Sequence, residues 1–458
     1  MIALVLLYLS VTIIIGLLAG RLVRNSEDFL LAGRRLPLLV VAATLFATWY
    51  GSETILGAST EFIQGGLIAV VRDPFGAALC LFLVGLFFAR PLYRMKLLTL
   101  GDFYRVKYGP RIELFASICI MLSYFAWIAA QFVAFGIISS ALIGTSLTEG
   151  ILLATALVTL YTFVGGMWAV SITDFMQTIF IVTGLILASI QIFGIVDFNT
   201  VLADTPDGFF GFLPDADITS VGNYFAAWIT IGLGSISTQV IFQRVMSAKS
   251  EKVAVRGSYI AGFMYLSFGL IPLALALAAP ILIPGFISSH SGTPYMQMLL
   301  PNLIEGFTSP FVQVLFFGAL LSAVLSTASS ALLAPAAIMS ENILKPVMGN
   351  VSDRKLLWLT RFAVLGVSVV ALALALHRGD IYNLVGLAAS VGLTSLLVPL
   401  AAGLFWKKAT ATSAFVSMIS GLVVWAIASL VATEINPVLY GFVASIVGMW
   451  LGSFLPKN

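Results

Sequence analysis

The chain reads as an all-α polytopic membrane protein. Three observations predict this. Apolar stretches of membrane-crossing length follow one another almost without interruption. Basic residues gather in alternate loops. Two of the stretches are broken at mid-membrane by polar, glycine-rich runs. Of 458 residues, 60% are hydrophobic and only 9% are charged, with a mean hydropathy of +1.07. So little charge is far below what a water-facing surface carries.

A helix that crosses the hydrocarbon needs about 20 apolar residues. Candidate spans are 2–23, 37–62, 70–93, 113–143, 148–168, 172–195, 221–246, 254–286, 309–340, 356–376, 382–405, 410–432 and 436–455, which predicts 13 transmembrane helices. The first is followed by further spans and lacks a small-residue cleavage pattern, so it reads as an anchor and not a removed signal. With this count, 21 of the 23 basic residues fall on one side of the membrane, among them Arg34, Arg35, Arg94 and Arg244, leaving Arg72 and Arg378. The positive-inside rule then places the N-terminus outside and the C-terminus in the cytoplasm. Topology thus accounts for the net charge of +3, and nothing in it points to nucleic acid. The inner-loop lysines and arginines are expected to serve orientation alone.

Enzyme chemistry has little support. Cys80 and Cys119 are isolated within apolar spans, His290 and His377 fall in loops, and no GxSxG, HExxH or Walker sequence occurs.

The first break, in 37–62, is Thr48-Trp49-Tyr50-Gly51-Ser52-Glu53-Thr54. The second, in 221–246, runs from Gly232 to Gln239. Glycine weakens a helix and bares its carbonyls. Five spans run from 37 to 195 and five from 221 to 405, and each set opens on a broken span. An odd number of crossings makes the second set enter from the opposite side, the pattern of an inverted-repeat transporter with its sites at discontinuous helices. The alternative is that the glycines only let helices pack closely. The division expected is an extra N-terminal helix and cytoplasmic loop (1–36), repeat one (37–195), an extracytoplasmic loop (196–220), repeat two (221–405) and two C-terminal helices (406–458). The 196–220 loop, with five aspartates, reads as a solvated acidic cover.

Within 309–340, Leu325-Ser326-Thr327-Ala328-Ser329-Ser330 places hydroxyls in the middle of a hydrocarbon helix. Ser322, Ser326 and Ser330 share a face at i, i+4 spacing. Neutral oxygens at membrane depth suit a hard cation such as sodium. The competing role is bonding back to their own helix or gluing helices together. Glu53, Arg72, Asp73 and Asp174 lie in or near apolar spans, where each costs several kcal/mol unless paired. Asp174 is either an N-cap for its helix or an ion ligand. Arg72 and Asp73 either form an ion pair with each other or with Glu53, or line a substrate cavity. Trp49 in the first break and mid-span Trp127, with Gln131 one turn on, are the aromatics expected at a central cavity, where they would suit a cation. Arg72 argues instead for a carboxylate.

Three motifs resemble the sodium/solute symporter family: Ser26-Glu27-Asp28-Phe29-Leu30-Leu31-Ala32-Gly33-Arg34-Arg35; Gly165-Gly166-Met167-Trp168-Ala169 followed by Thr173-Asp174-Phe175-Met176-Gln177; and Ala323-Val324-Leu325-Ser326-Thr327. The resemblance covers essentially the whole chain. It implies a leucine-transporter-type (LeuT) core of 5+5 inverted helices with one extra helix before it and two after, in a bacterial-type member of the inner membrane. It implies sodium ions as the coupling ligands, a small-molecule solute, the lipid bilayer as environment and a functional monomer. By position, one sodium site would use the carbonyls of Ala47, Tyr50 and Ala323 and the hydroxyls of Ser326 and Thr327. A second, like that of a sialic-acid member, would use Asp174, Ser326, Ser329 and Ser330.

Three stretches are similar to the high-affinity choline transporter branch: Ala47-Thr48-Trp49-Tyr50-Gly51, Gly85-Leu86-Phe87-Phe88-Ala89-Arg90-Pro91 and Phe242-Gln243-Arg244-Val245-Met246-Ser247. Trp49 and Trp127 match two aromatics of its choline cage, while the third falls on Thr238. Glu53 is an added acid that matches an acidic position of sodium/galactose members. The substrate site expected comprises Trp49, Gly51, Ser52, Glu53, Arg72, Asp73, Trp127, Gln131, Thr238 and Gln239, for a cationic or zwitterionic solute such as a choline-like compound, betaine or an amino acid. A proton-coupled symporter of the same fold and a solute sensor are the rival readings.

Overall fold

The computed structural model describes residues 7, 10–11, 14–15, 18–23, 25–164, 167–292, 294–349, 351–377, 380–431 and 433–456. About half of the expected span 2–23 lies outside them, as do Arg24, Gly165, Gly166, Arg378 and Lys457. Among the described residues, nine helices are long and apolar enough to cross a membrane. A further pair, Ile218–Ser237 and Gln239–Met246, is bent by 55° into a broken span, and two shorter apolar helices are Leu147–Leu160 and Pro437–Gly452. Each of these overlaps one of the spans expected after residue 36. His377 does not lie in a loop but closes the helix Asp353–His377.

The first broken span is built in three parts. Helix α1 (Leu38–Ala47) starts after Pro37, which supplies an extended entry, and runs through an uninterrupted aliphatic stretch. Thr48 to Gly51 leave the helix, a π-helix covers Ser52–Ala58, and helix α2 (Ser59–Ala69) completes the crossing. Gly66 sits in α2 at φ 72° and ψ −167°, a conformation open to glycine and costly for other residues. Beside it, Leu67 N donates to Phe209 O at 2.9 Å, so part of the 196–220 loop is stitched onto α2.

Helix α3 (Leu100–Tyr108) is a short element before the third crossing, capped by a reciprocal Thr99–Asp102 box. Helix α4 (Pro110–Ile143) has proline at its first turn and ends on Gly144 at φ 69°, the usual start and stop chemistry. Helix α5 (Met167–Ile195) carries the buried face Ser171, Thr173, Asp174, Gln177 and Thr178. The second break lies between helices α6 (Ile218–Gly232) and α7 (Gln239–Met246), through a 3-10 turn over Gly234–Ser237. Helix α8 (Glu251–Phe268) follows. Helix α9 (Pro310–Ile338) carries the hydroxyl row and is buried from Phe316 to Ile338. Helix α10 (Ile381–Val391) passes into a π-helix over Gly392–Leu397.

Contacts between loops distinguish two faces. On the basic face, Arg34 donates to Leu97 O at 2.9 Å, and Arg90 and Arg94 pair with Glu251 at 3.0 and 2.8 Å. There the strand-like residues Leu36 and Ala248 form a parallel bridge, with Leu36 N donating to Ser247 O and Lys249 N to Leu36 O, both at 3.0 Å. This joins the entry of α1 to the exit of α7. On the opposite face, Ile381 N donates to Gln297 Oε1 at 3.2 Å, and Tyr382 donates its hydroxyl to Ala69 O at 3.1 Å.

Candidate functional site

The hydroxyl row of α9 faces α5. Gln177 donates to Ser322 Oγ at 2.7 Å. One turn along, Ser326 donates to Asp174 Oδ1 at 2.9 Å and lies 3.2 Å from the Thr173 hydroxyl. Spacings of three and four on each helix bring these rows into register. Thr327, on the neighbouring face, donates to Ala47 O at 3.4 Å. A Cβ placed on Gly51 would stand 3.8 Å from that of Ala323. The end of α1 and the middle of α9 therefore meet where helix termination leaves carbonyls without intrahelical partners. Of the five residues expected at the first sodium site, Thr327 meets Ala47, and Ala323 and Ser326 lie within one turn of Thr327 on α9, while Gly51, a substrate-site candidate, stands against Ala323. Tyr50 lies in the break, its hydroxyl donating to Phe268 O at 2.8 Å.

Asp174 is 1% exposed and stands seven residues beyond the first residue of α5. The helix starts earlier than the apolar pattern predicts, so the N-cap reading is excluded. Its carboxylate accepts from Thr44 of α1 through Oδ2 and from Ser326 through Oδ1. Ser330 belongs to the same cluster, and Ser329 is buried on the same turn of α9.

A further member of this cluster corrects the topological reading of Arg244. Arg244 is also 1% exposed and lies inside α7, not in a loop. Its guanidinium donates from Nε to Thr44 O at 2.8 Å, from one terminal nitrogen to Asp174 Oδ2 at 3.3 Å, and from the same nitrogen to Ser330 Oγ at 3.4 Å. The signal was present in the sequence, since residue 244 falls within the apolar span 221–246.

Next to these groups, between the two breaks, lies a cavity of about 30 Å³. Its walls include Trp49, Trp127 and Thr238, with Ser123, Tyr124, Ser235 and the Val385–Ala389 part of α10. Three expected substrate residues thus share one wall. Tyr124, Ser235 and α10 escaped the sequence reading, because periodicity alone does not tell a core aromatic from a cavity-lining one.

The remaining candidates stand behind that wall. Trp127 Nε1 donates to Glu53 Oε1, and the other Glu53 oxygen is buried with no partner among the described residues. Ser52 donates to Gln131 Oε1 at 2.9 Å. Asp73 accepts from Thr54 at 3.0 Å, and the Thr54 hydroxyl lies 2.6 Å from that of Tyr265, whose ring packs edge-on to Trp49 at 6.5 Å. Neither expected role holds for Arg72: it pairs with no acid among the described residues and is not part of the cavity wall. It donates to Tyr382 O at 2.6 Å and stacks on the Tyr382 ring at 3.4 Å, tying the start of the 71–95 span to α10. Gln239 also leaves the substrate set. Its Oε1 accepts from Leu100 N at 2.7 Å, which fixes α3 to α7.

Residues 29–421 match the model of the sodium:solute symporter family. The chain belongs to this family. As a sodium:solute symporter it is a sodium-coupled secondary transporter of a small organic solute, and not an enzyme. It is 28% identical over 449 residues to human high affinity choline transporter 1, covering 92% of this chain and 75% of that protein. It is 29% identical over 472 residues to the high-affinity proline transporter PutP of Bacillus subtilis, covering 97% and 96%. A solved Na+-coupled sialic acid symporter, captured substrate-bound and outward-open with a novel Na+ site, superposes with a TM-score of 0.83 at 19% identity over 100% of this chain and 98% of that one. That likeness establishes the many-helix membrane fold of the family.

Proposed function

We propose that this symporter imports a cationic or zwitterionic solute, a choline-like compound, betaine or an amino acid, through the cavity between Trp49, Trp127 and Thr238. The single observation that carries this is the position of the cavity. It lies between the two helix breaks, beside the Ala47–Thr327 contact. Indole faces attract a cation by about 0.5–2 kcal/mol, and no charged side chain is among the described residues lining that wall. Likeness to choline and proline transporters supports solutes of this kind.

In this reading the core is 5+5 helices of LeuT type over 37–195 and 221–405. The chain has 13 spans, with the N-terminus outside, and works as a monomer in a bacterial inner membrane. The basic face is the cytoplasmic one. One sodium binds among Ala47, Tyr50, Ala323, Ser326 and Thr327, holding the end of α1 to α9 and closing the breaks around the solute. A second binds among Asp174, Ser326, Ser329 and Ser330. Solute and sodium raise each other's affinity by the same factor. A membrane potential then favours inward sodium release by about 2.3 kcal/mol per charge per 100 mV.

The test is thermal stability of the purified protein with choline, betaine, amino acids, sugars and carboxylates, each in sodium and in potassium. A cationic or zwitterionic solute that stabilises only in sodium is expected, because a ligand of the folded state raises stability by mass action. A sugar or a simple carboxylate as the stabilising solute would overturn the substrate class. Stabilisation by acid outside sodium would favour proton coupling.

A further inference from the structure

The sequence supplies one full positive charge in the middle of the second proposed sodium site. Arg244 and Asp174 are both buried, and the guanidinium engages the carboxylate at 3.3 Å and Ser330 at 3.4 Å. Asp174 and Ser330 are two of the four residues through which a sodium ion would be held there. A buried carboxylate with one cation is neutral. A second cation packed against the same oxygens leaves an uncompensated positive charge in a low-dielectric region, which is strongly unfavourable. The hydroxyls of Thr44 and Ser326 already fill other acceptor positions of Asp174.

We propose that Arg244 is a tethered cation that competes with the second sodium for Asp174 and Ser330. This rests on the sodium reading above. Sodium enters that site only when the guanidinium withdraws from α5 and α9. The same guanidinium holds Thr44 O of α1 at 2.8 Å, so it bridges the two broken spans to α5 and α9. Sodium binding therefore exchanges an ion for a strut, and occupancy of the site is reported directly to α7. Ser326, shared by both proposed sodium sites, makes the exchange sensitive to the first ion as well.

The experiment is a sodium titration of the melting temperature of the full chain, with ionic strength held constant by potassium. It compares wild type, Arg244→Gln, Arg244→Lys and Arg244→Gln combined with Asp174→Asn. If the guanidinium leaves the site free only a tenth of the time, removing it lowers the half-saturating sodium concentration about tenfold. Arg244→Lys, too short to hold Thr44 and Asp174 together, is expected to lower it by a smaller factor, and it serves if Arg244→Gln does not fold. The double variant is expected to lose the gain. A wild type that responds to sodium beside single variants with unchanged or weakened sodium affinity would overturn the competition while leaving the sodium reading intact. A wild type with no sodium response would sink both.

Discussion

Trp127 donates its indole N–H to Glu53, a residue 74 positions earlier on a different helix. The acid thus stands behind the cavity wall and orients one of its two tryptophans. Its second oxygen is buried with no hydrogen-bond partner among the described residues. Glu53→Gln keeps an oxygen acceptor for Trp127 and removes the ionisable group. It is expected to weaken a cationic solute about tenfold, or about 1.4 kcal/mol, while sodium affinity holds. Isothermal titration in saturating sodium measures it, and an undiminished affinity would reduce Glu53 to a packing role.

Ser326 donates to Asp174 and belongs to both proposed sodium sites. Ser326→Ala is expected to abolish the sodium-dependent rise in melting temperature. In potassium it should cost about 1–3 kcal/mol, the penalty for a buried acceptor that loses a donor. A sodium response equal to wild type would remove the hydroxyl row from the ion path.

Thr238 lines a cavity of only about 30 Å³. Thr238→Trp is expected to fill it, so that solute no longer stabilises the protein while sodium alone still does. Joint loss of both responses would mean that the second break, and not the cavity, had been disturbed.

Arg72 stacks on Tyr382 and donates to its carbonyl. Arg72→Lys keeps the charge and loses the planar stack. The expected result is a solute dissociation rate several-fold faster, with little change in sodium half-saturation, read by rapid dilution of labelled solute. A change confined to sodium would contradict a role for the Arg72–Tyr382 contact in holding the solute.

Much of this was legible in the chain. The apolar helices after residue 36 and both breaks follow from hydropathy and glycine placement, since lipid forces every backbone amide into a helix except where protein lines a cavity. Trp49 stood out because it sits in the first break, and Thr238 because the choline-branch resemblance places the third cage aromatic there. Residues whose roles depend on a partner in another helix were less legible. Arg244 counted as a loop charge because it lies at the edge of its span, and only its approach to Asp174, 70 positions away, separates a strut from a topological signal. Gln239 and Arg72 failed as substrate ligands for the same reason: each finds a backbone partner, in α3 and at Tyr382, that no local pattern announces. Tyr265, which links Asp73 and Thr54 to Trp49, is one aromatic among many in an apolar helix.

The bridge between Leu36 and Ala248 joins the entry of the first broken helix to the exit of the second through two main-chain hydrogen bonds. No side chain takes part in either bond. Side-chain changes around the cavity therefore leave both bonds without a direct point of attack. Proline at position 36 or 249, which lacks the N–H, is the substitution that reaches it. A clasp written in peptide groups is indifferent to which side chains surround it.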